Sequence, residues 1–466
     1  MAEGMAAGLV GFMVSYWPYL SVAALLLVVV VFYRRFVESE RSAAAEREQT
    51  LFLTFLYVLV KSGRTVLQAF REAATKKEYM KHLSSVASYL VRDSESRTLS
   101  ESMRRYVHPS REFTLLVGSL GQDLESGFGV VEKLEKLIEQ AISRESDRWR
   151  RYIDSVETLG EAVVAVILLI PLIYIVGSLL GGFPLVYTVV IAVAAAAVFY
   201  VVSSAAEPLH LVDLPRPVVV NSTVLALGLG AVLAIGFLNV STVLLGLVVG
   251  VVSLVWGLFV HFKYVRRAVA EGEGAFLLLD SVAARLRAGY PIGRSLEAVA
   301  DPRFSRYALS VARGLSYSPL NRFMALAMET VRVARLGGLG AEALSLLARL
   351  ALAIHLSFTG ARARMKLYTG LAIGSGAAII AVSAIVVLPF TTLPPELSAE
   401  ILKFIVIPTL EPVLPLAMMV SYVLGIAVGK VEDQTIAATW RAGAGVLACI
   451  IAYFIASPLV ALTPAV

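Results

Sequence analysis

The stretch AVVAVILLIPLIYIVGSLLGGFPLVYTVVIAVAAAAVFYVVSSAA, residues 162–206, contains no Asp, Glu, Lys or Arg. A helix of about 20 apolar residues crosses the roughly 30 Å hydrocarbon core of a bilayer, so this stretch is long enough to cross twice. The turn signal GGFP (181–184) divides it near its middle. The stretch therefore predicts a hairpin of two membrane-spanning helices, at about 162–180 and 184–204.

Five further stretches also lack charged residues: 4–33, 217–262, 367–395, 412–429 and 442–466. The second of these is again twice the length of a span and is interrupted by FLNVS (237–241), which predicts another hairpin. Eight spans are therefore expected, at about 8–32, 162–180, 184–204, 217–236, 241–260, 367–389, 412–429 and 442–462.

The composition agrees with a membrane protein. The chain is 58% hydrophobic and 16% charged, with a mean hydropathy of +0.77, whereas soluble domains are about 45–50% apolar and about a quarter charged. A single soluble globule is excluded. The charges are confined to the other segments, at a density typical of soluble proteins, and these segments are rich in Leu, Ala, Glu, Arg and Lys. We therefore expect an all-α polytopic membrane protein with two helical-bundle domains outside the bilayer.

The distribution of basic residues predicts the topology, because Lys and Arg accumulate on the cytoplasmic side. Segment 33–161 holds 21 basic and 20 acidic residues, and segment 261–366 holds 16 basic and 7 acidic residues. Four predicted spans separate them, so both lie on one side. If that side is cytoplasmic, the connectors 205–216 and 430–441 are cytoplasmic too, and 40 of the 41 basic residues are inside, with only Lys403 outside.

We therefore expect a multi-pass protein of the cell membrane with both large domains in the cytoplasm. The first span is expected to be a retained anchor, because Arg34 and Arg35 follow it and only Glu3 precedes it. The expected order is a transmembrane helix in 1–32 with the N-terminus outside, a cytoplasmic helical domain in 33–161, four transmembrane helices in 162–260, a second cytoplasmic helical domain in 261–366, and three transmembrane helices in 367–466 with the C-terminus outside.

The two cytoplasmic segments share a pattern. TFLYVLVKSGRTVLQAFREAA (54–74) and LLLDSVAARLRAGYPIGRSLEAVA (277–300) align with Gly63 on Gly289. Each predicts a helix, a glycine cap in the left-handed conformation, a tight turn and an antiparallel helix, which Pro291 would start in the second copy. GQDLESGFGVVEKLEKL (121–137) and VRVARLGGLGAEALSLL (331–347) again predict a helix, a glycine-rich break and a helix. The sequence therefore predicts an internal duplication.

This doubled pattern resembles the type II secretion F-domain. With a leading span and four spans between the copies, it is most similar to the membrane platform proteins of archaeal type IV pili and the archaellum. AGYPIGRSLEA (288–298) is the better match, whereas the first copy has Thr65 in place of the proline. The resemblance implies a platform that couples a cytoplasmic hexameric secretion ATPase to extraction of pilin subunits into the filament base. It also implies a homodimer.

Basic residues around the second glycine turn are candidates for contact with that ATPase: Arg285, Arg287 and Arg294. The excess of basic residues in 261–366 is also compatible with anionic lipid headgroups or another acidic partner. Nucleic acid is disfavoured, because no recognised reading motif accompanies the charge.

No catalytic, cofactor or metal site is predicted. GIAVGK (425–430) is too short for a nucleotide-binding loop and follows a membrane helix instead of a strand. The five histidines have no metal-ligand spacing, and we expect His210 and His261 to lie near membrane interfaces. The single cysteine, Cys449, is expected to pack as a small apolar residue. The chain is therefore predicted not to be an enzyme.

The uncharged spans bear on two alternatives, a transporter or channel built from parallel repeats and a membrane scaffold with no motor partner. Coupled transporters keep ionisable residues in mid-membrane, and the predicted spans have none. They instead carry glycines at the G-x-x-x-G spacing, which lets helices approach closely within a chain or across a dimer. These pairs are Gly177/Gly181, Gly246/Gly250, Gly370/Gly374 and Gly425/Gly429.

Overall fold

The computed structural model describes residues 41–77, 80–126, 129–179, 207–235, 241–298, 304–315, 318–391, 410–411 and 413–461. These residues are mainly helical and contain no β-strand, although Val212 and Asn321 form an isolated bridge. The helices are α1 (41–61), α2 (Val66–Thr75), α3 (Lys81–Asp93), α4 (Leu99–Arg105), α5 (Arg111–Ser126), α6 (Val130–Leu179), α7 (Arg216–Ile235), α8 (Thr242–Val260), α9 (Arg266–Arg287), α10 (Ile292–Glu297), α11 (Ser305–Ala312), α12 (Arg322–Gly337), α13 (Ala341–Thr391), α14 (Val413–Asp433) and α15 (Trp440–Ala461).

The chain divides into two compact units. In the first, the part of α1 up to Gln49 is grouped with residues 70–130. Its core includes Leu90, Met103 and Phe113, which are fully buried. Helix α4 is capped by Thr98, whose Oγ1 accepts the amide N–H of Glu101 at 3.3 Å. The first unit is therefore a bundle of short helices around an apolar core.

The second unit contains residues 50–69 and the chain from Val131 onward. It includes the two longest helices of the described part, α6 with 50 residues and α13 with 51. Helix α13 packs against α9 in the part rich in charged residues, and against α14 and α15 in its apolar part. One helix therefore joins both environments.

Five helices of the described part are long and apolar enough to cross a membrane: Arg216–Ala234, the α8 part of Thr242–Arg287, the apolar part of Ala341–Pro389, Val413–Asp433 and Trp440–Pro458. They coincide with five of the predicted spans. The backbone of α6 is helical over most of the predicted span 162–180. The predicted spans 8–32 and 184–204 lie outside the described residues, so the number eight stays a prediction.

The predicted segment boundaries at 161, 260 and 366 fall inside continuous helical structure. Helix α6 passes through the first, α13 passes through the third, and a π-helical turn, His261–Val265, joins α8 to α9 at the second. A change from charged to apolar residues alters which solvent the helix prefers, but it does not remove backbone hydrogen bonds. Composition therefore predicts a change of environment at these boundaries, which stays a prediction, and it does not predict a helix end.

Candidate functional site

Charged side chains from three parts of the second unit meet where α14 ends and α15 begins. Arg441, in the first turn of α15, has no exposed surface. Its Nη1 donates to Asp433 Oδ2 at 2.7 Å, its Nε donates to Thr369 Oγ1 at 2.9 Å, and its Nη2 lies 2.8 Å from Glu432 Oε2. Its guanidinium also lies 4.5 Å from the centre of the Trp440 ring. Nη2 is close to Glu432 without making a hydrogen bond. A buried cation needs such ion pairing, since an unpaired one is strongly destabilising.

Asp433 connects this cation to two further helices. Arg362 of α13 donates through Nη2 to Asp433 Oδ1 at 2.8 Å, and its Nε donates to Glu432 O at 3.1 Å. His261, in the π-helical turn, has its Nδ1 3.3 Å from Asp433 Oδ2. We call His261, Arg362, Glu432, Asp433 and Arg441 the charged hub. It ties α8, α13, α14 and α15 together at one end of the spans.

The local sequence explains why the hub forms there. Two carboxylates at the C-terminal end of α14 face the negative end of the helix dipole, so neighbouring cations are needed to stabilise them. The next residue, Gln434, reverses the chain with φ +54, the only positive φ of a non-glycine residue in the described part. Its side chain accepts the N–H of Leu211 at 2.8 Å and donates to Leu209 O at 2.7 Å. The α14–α15 turn therefore also holds the connector that precedes α7.

A second ion pair joins the same connector to α14. Glu207 is buried, with its Oε2 2.8 Å from Lys430 Nζ and its Oε1 3.0 Å from His210 Nδ1. Burial alone would raise the pKa of Glu207, but His210 and Lys430 outweigh it and lower that pKa to about 2. Burial lowers the pKa of His210, and the carboxylate of Glu207 opposes that change.

The charged bundle of the second unit is tied to this connector through Glu271. Its Oε2 accepts the amide N–H groups of Leu320 at 2.5 Å and Asn321 at 3.0 Å. Arg267 donates to its Oε1 at 2.9 Å, and the Tyr307 hydroxyl donates to the same oxygen. Burial, with the Glu271 carboxylate beside it, raises the pKa of Tyr307. Glu271 is thus a buried anchor for the loop before α12.

The anchored loop pairs with the connector. Asp213 N–H donates to Leu320 O at 2.7 Å, and Arg322 N–H donates to Leu211 O at 3.0 Å. Asn321 Oδ1 accepts the N–H of Phe323 at 2.8 Å and thereby caps α12. A chain of direct contacts therefore runs from the bundle, through Glu271 and the connector, to the ends of the membrane helices.

The three predicted partner-binding arginines lie around one turn, but two of them form hydrogen bonds within the chain. Arg285 Nη2 donates to Ala298 O at 2.7 Å, and Arg287 donates to the Ser345 hydroxyl. Arg294 is exposed and has no ion pair among the described residues. Of these three arginines, Arg294 is the one whose guanidinium makes no contact of this kind in the described part of the chain, and its partner role stays a prediction.

The predicted turn residues lie where a turn is formed. Gly63 has φ +92 and Gly289 has φ +85, the left-handed region that glycine adopts without strain. Pro291 caps α10 with φ −68, one position before the predicted first turn.

The predicted glycine pairs differ in their surroundings. A Cβ on Gly250 would lie 2.8 Å from the Leu447 side chain, and one on Gly425 would lie 2.5 Å from the Ala442 backbone. Gly246 is likewise close to Met418, and Gly429 to Ala438. Helix α15 thus approaches α8 and α14 closely at glycines.

The other two pairs make no such contact in the described part of the chain. A Cβ on Gly370 or Gly374 would meet no atom within 4 Å. Gly177 lies in α6, and Gly181 lies outside the described residues. A packing role for these pairs, within the chain or across a dimer, stays a prediction.

Some of the tightest positions were missed by the G-x-x-x-G search. A Cβ on Gly376 would collide with Cys449 Sγ and Ser421 Oγ, and one on Gly443 would lie 2.5 Å from Gly250 O. Ala372, four residues before Gly376, is a small-residue signal that could have found the first. The charged hub was also missed, although its cations had been placed on one side. No group of three or more His, Cys, Asp or Glu side chains is arranged to hold a metal in the described ranges.

Comparison with known families identifies one region of the chain. Residues 52–177 match the family described as type II secretion system (T2SS), protein F. A protein F domain is therefore present from the middle of α1 through most of α6. Together with the apolar helices, it indicates a membrane platform protein of the kind found in secretion and pilus systems. No curated protein matched, and no solved structure matched.

Proposed function

We propose that the protein is the membrane platform of a machine that assembles a type IV pilus-like filament, of the archaeal pilus or archaellum type. In this proposal a cytoplasmic hexameric secretion ATPase binds the charged bundles, and its conformational cycle moves pilin helices from the membrane into the filament base. The observation that carries the proposal is the protein F domain at 52–177, whose last helix continues directly into a predicted span.

A duplication of the domain is supported by repeated structural details. Helices α5 and α12 each have 16 residues, and each is followed after three residues by a helix of 50 or 51 residues. In the first unit Ser110, directly before α5, donates through Oγ to Glu46 Oε1 at 3.1 Å. In the second unit Asn321, directly before α12, donates through its N–H to Glu271 Oε2 at 3.0 Å. The second copy lies outside the family match, so this part remains a proposal.

The proposed orientation places both bundles in the cytoplasm. The positive-inside pattern supports it. The charged hub adds support, because it joins His261, Arg362 and Arg441, which lie at the ends of spans that the charge pattern places on one side.

Transmission through the membrane is supported by the packing of the long helices in the second unit. The Tyr368 hydroxyl of α13 donates to Glu157 O of α6 at 3.0 Å, and the Tyr368 ring lies directly over Gly160. A movement that the ATPase imposes on the bundle would therefore move two membrane helices together. The apolar spans are where a pilin helix would be displaced.

The test is reconstitution of the full-length protein in nanodiscs with a secretion-type ATPase from the same genome. We expect co-purification, stimulated ATP hydrolysis, and loss of both in Arg294→Glu, because the exposed guanidinium is replaced by a like charge for an acidic partner. The matched control is Arg349→Glu, an exposed arginine of α13 without an ion pair in the described part. Wild-type protein that neither binds the ATPase nor supports filaments in cells would refute the proposal.

The same preparation separates the alternatives. A transporter or channel would catalyse solute flux into liposomes without the ATPase, and a passive scaffold would support neither flux nor stimulated hydrolysis. A homodimer, also proposed from the family resemblance, would be seen as twice the chain mass in the nanodisc.

A further inference from the structure

A cavity of about 370 Å³ opens beside the charged hub, between the π-helical turn, α9 and α13. We call it the boundary pocket. Its polar lining consists of His261, Arg266, Glu273, His355, Thr359 and Arg362.

The arginines of this pocket have donors to spare. Arg266 is exposed and has no ion pair among the residues the structure describes. Arg362 uses Nε and one Nη2 N–H for the hub, which leaves three of its five N–H groups. Thr359 adds no donor, because its hydroxyl already donates to His355 O at 2.8 Å. Two guanidinium groups facing one cavity suit an anion with several oxygens, as a phosphate group has.

The charge around the pocket favours an anion further. Six basic residues either line the pocket or lie within four positions of a lining residue in the sequence: Lys263, Arg266, Arg267, Arg362, Arg364 and Lys366. Arg267 is paired with Glu271, and the Asp433 that faces Arg362 is also paired with Arg441. Among the described residues, Glu273 is the one acidic side chain that lines the pocket itself. The surroundings therefore have an excess of positive charge.

The pocket is the end of an exposed apolar stripe. Along α8 and the π-helical turn, exposed side chains recur every three or four residues and lead to Arg266: Leu244, Val248, Val251, Val255, Phe259 and Phe262. Lys263 Nζ lies 4.9 Å from the centre of the Phe259 ring. Basic and aromatic side chains together are typical of the membrane–water interface. A ligand that fits both features has a phosphate head and an acyl chain.

We propose that the boundary pocket binds the phosphate group of an anionic phospholipid, whose acyl chain lies along the α8 stripe. This site is separate from the ATPase contact, since it faces the bilayer interface. A bound lipid would bridge α9 and α13 at the level of the charged hub.

The experiment uses the full-length protein in detergent and measures its affinity for three probes: a short-chain phosphatidylglycerol, inorganic phosphate, and the matching diacylglycerol, which has no phosphate. We expect phosphatidylglycerol to bind most tightly and diacylglycerol not to bind. Arg266→Gln should weaken phosphatidylglycerol binding about tenfold, the loss of one charge-assisted contact. It should leave the melting temperature of the lipid-free protein unchanged.

The matched control is Arg364→Gln. Arg364 is also exposed and lies two residues from Arg362 in α13, but it does not line the pocket. Inorganic phosphate binding as tightly as the lipid, and equally sensitive to Arg266→Gln, would support the phosphate site but assign it to a soluble ligand. Equal weakening by the two variants would show attraction to the basic surface in general and overturn the proposal. Binding of diacylglycerol as tight as that of phosphatidylglycerol, or no binding of any probe, would overturn it as well.

Discussion

Arg441 and Asp433 face each other across the turn between α14 and α15, with 2.7 Å between Nη1 and Oδ2 and no exposed surface on either side chain. The pair is eight residues apart in sequence and closes the turn that holds the connector before α7. Replacing Arg441 by Met keeps a long side chain but leaves two carboxylates with fewer cations.

We expect Arg441→Met to destabilise the protein by about 3–5 kcal/mol, since breaking a buried pair leaves an uncompensated charge. The measurement is thermal unfolding of the full chain in detergent. Arg364→Met, an exposed arginine, serves as the control and should change stability by less than about 0.5 kcal/mol. Equal melting temperatures for wild type and Arg441→Met would contradict a structural role for the hub.

Glu271→Gln should loosen the loop before α12. One acceptor oxygen replaces two, so Arg267 and Tyr307 lose their shared partner or the amides of Leu320 and Asn321 lose theirs. We expect these amides to exchange with deuterium roughly tenfold faster, as removal of a buried acceptor costs about 1–3 kcal/mol. Glu297→Gln, at an exposed position, is the control. Unchanged protection of the loop would show that Glu271 does not anchor it.

Gly376→Val should prevent close packing of α13 on α14 and α15. Its Cβ would collide with Cys449 and Ser421, and overpacking costs about 1–3 kcal/mol or more. Gly374→Val is a matched control two residues away, because a Cβ there would meet no neighbouring atom of the described residues within 4 Å. The melting temperature should fall only for the first variant. If Gly374→Val lowers the mass of the assembled species instead, packing of Gly370/Gly374 across a dimer gains support over packing within one chain.

The first unit should lose stability in mild acid because of His108. Its Nδ1 accepts the Ser110 N–H at 3.0 Å, so the neutral ring carries its proton on Nε2 and donates to His82 Nε2 at 2.9 Å. Burial, with His82 and Arg41 nearby, lowers the pKa of His108 to about 4. The unfolded chain takes up this proton near pH 6.5, whereas the folded chain resists it. The contribution of neutral His108 to the free energy of unfolding is therefore fully present above about pH 6.5. It is lost progressively as the pH falls toward 4, by up to about 3 kcal/mol.

This acid sensitivity can be followed by deuterium exchange of peptides within 80–126 of the full chain, corrected for the intrinsic rate at each pH. His108→Asn retains an acceptor for Ser110 but cannot be protonated in this range. The variant should show a flatter dependence on pH. A wild-type dependence as flat as that of the variant would rule out the histidine pair as its source.

The positions of five spans could be predicted from the sequence because each is free of charge over a bilayer thickness. The helical nature of the intervening segments was also predictable, from their Leu, Ala, Glu, Arg and Lys. The unbroken helix through residue 366 was not predictable, because the change in charge marks a change of solvent, and Lys366 is as compatible with a helix as Leu367.

The charged hub was less predictable than the spans. His261 was expected near a membrane interface, and the charge pattern places Arg362 and Arg441 on the same side. The pairing of His261 with Asp433, however, joins residues 172 positions apart. Such pairing depends on which helices are neighbours, and hydropathy does not contain that information. The glycine spacing has the same weakness, since Gly374 and Gly376 lie on one short segment and only the helix rotation decides which of them meets α15.

The length of α13 turns small rotations into large displacements. At 1.5 Å per residue, its 51 residues form a rod of about 77 Å, and Tyr368, held against α6, divides it into arms of about 40 and 35 Å. A tilt of about 10° about that fulcrum would swing the Ala341 end by about 7 Å and the opposite end by about 6 Å the other way, each more than one helical turn. In the proposed function, a push by the ATPase on the Ala341 end of α13 would therefore displace its opposite end by a similar distance.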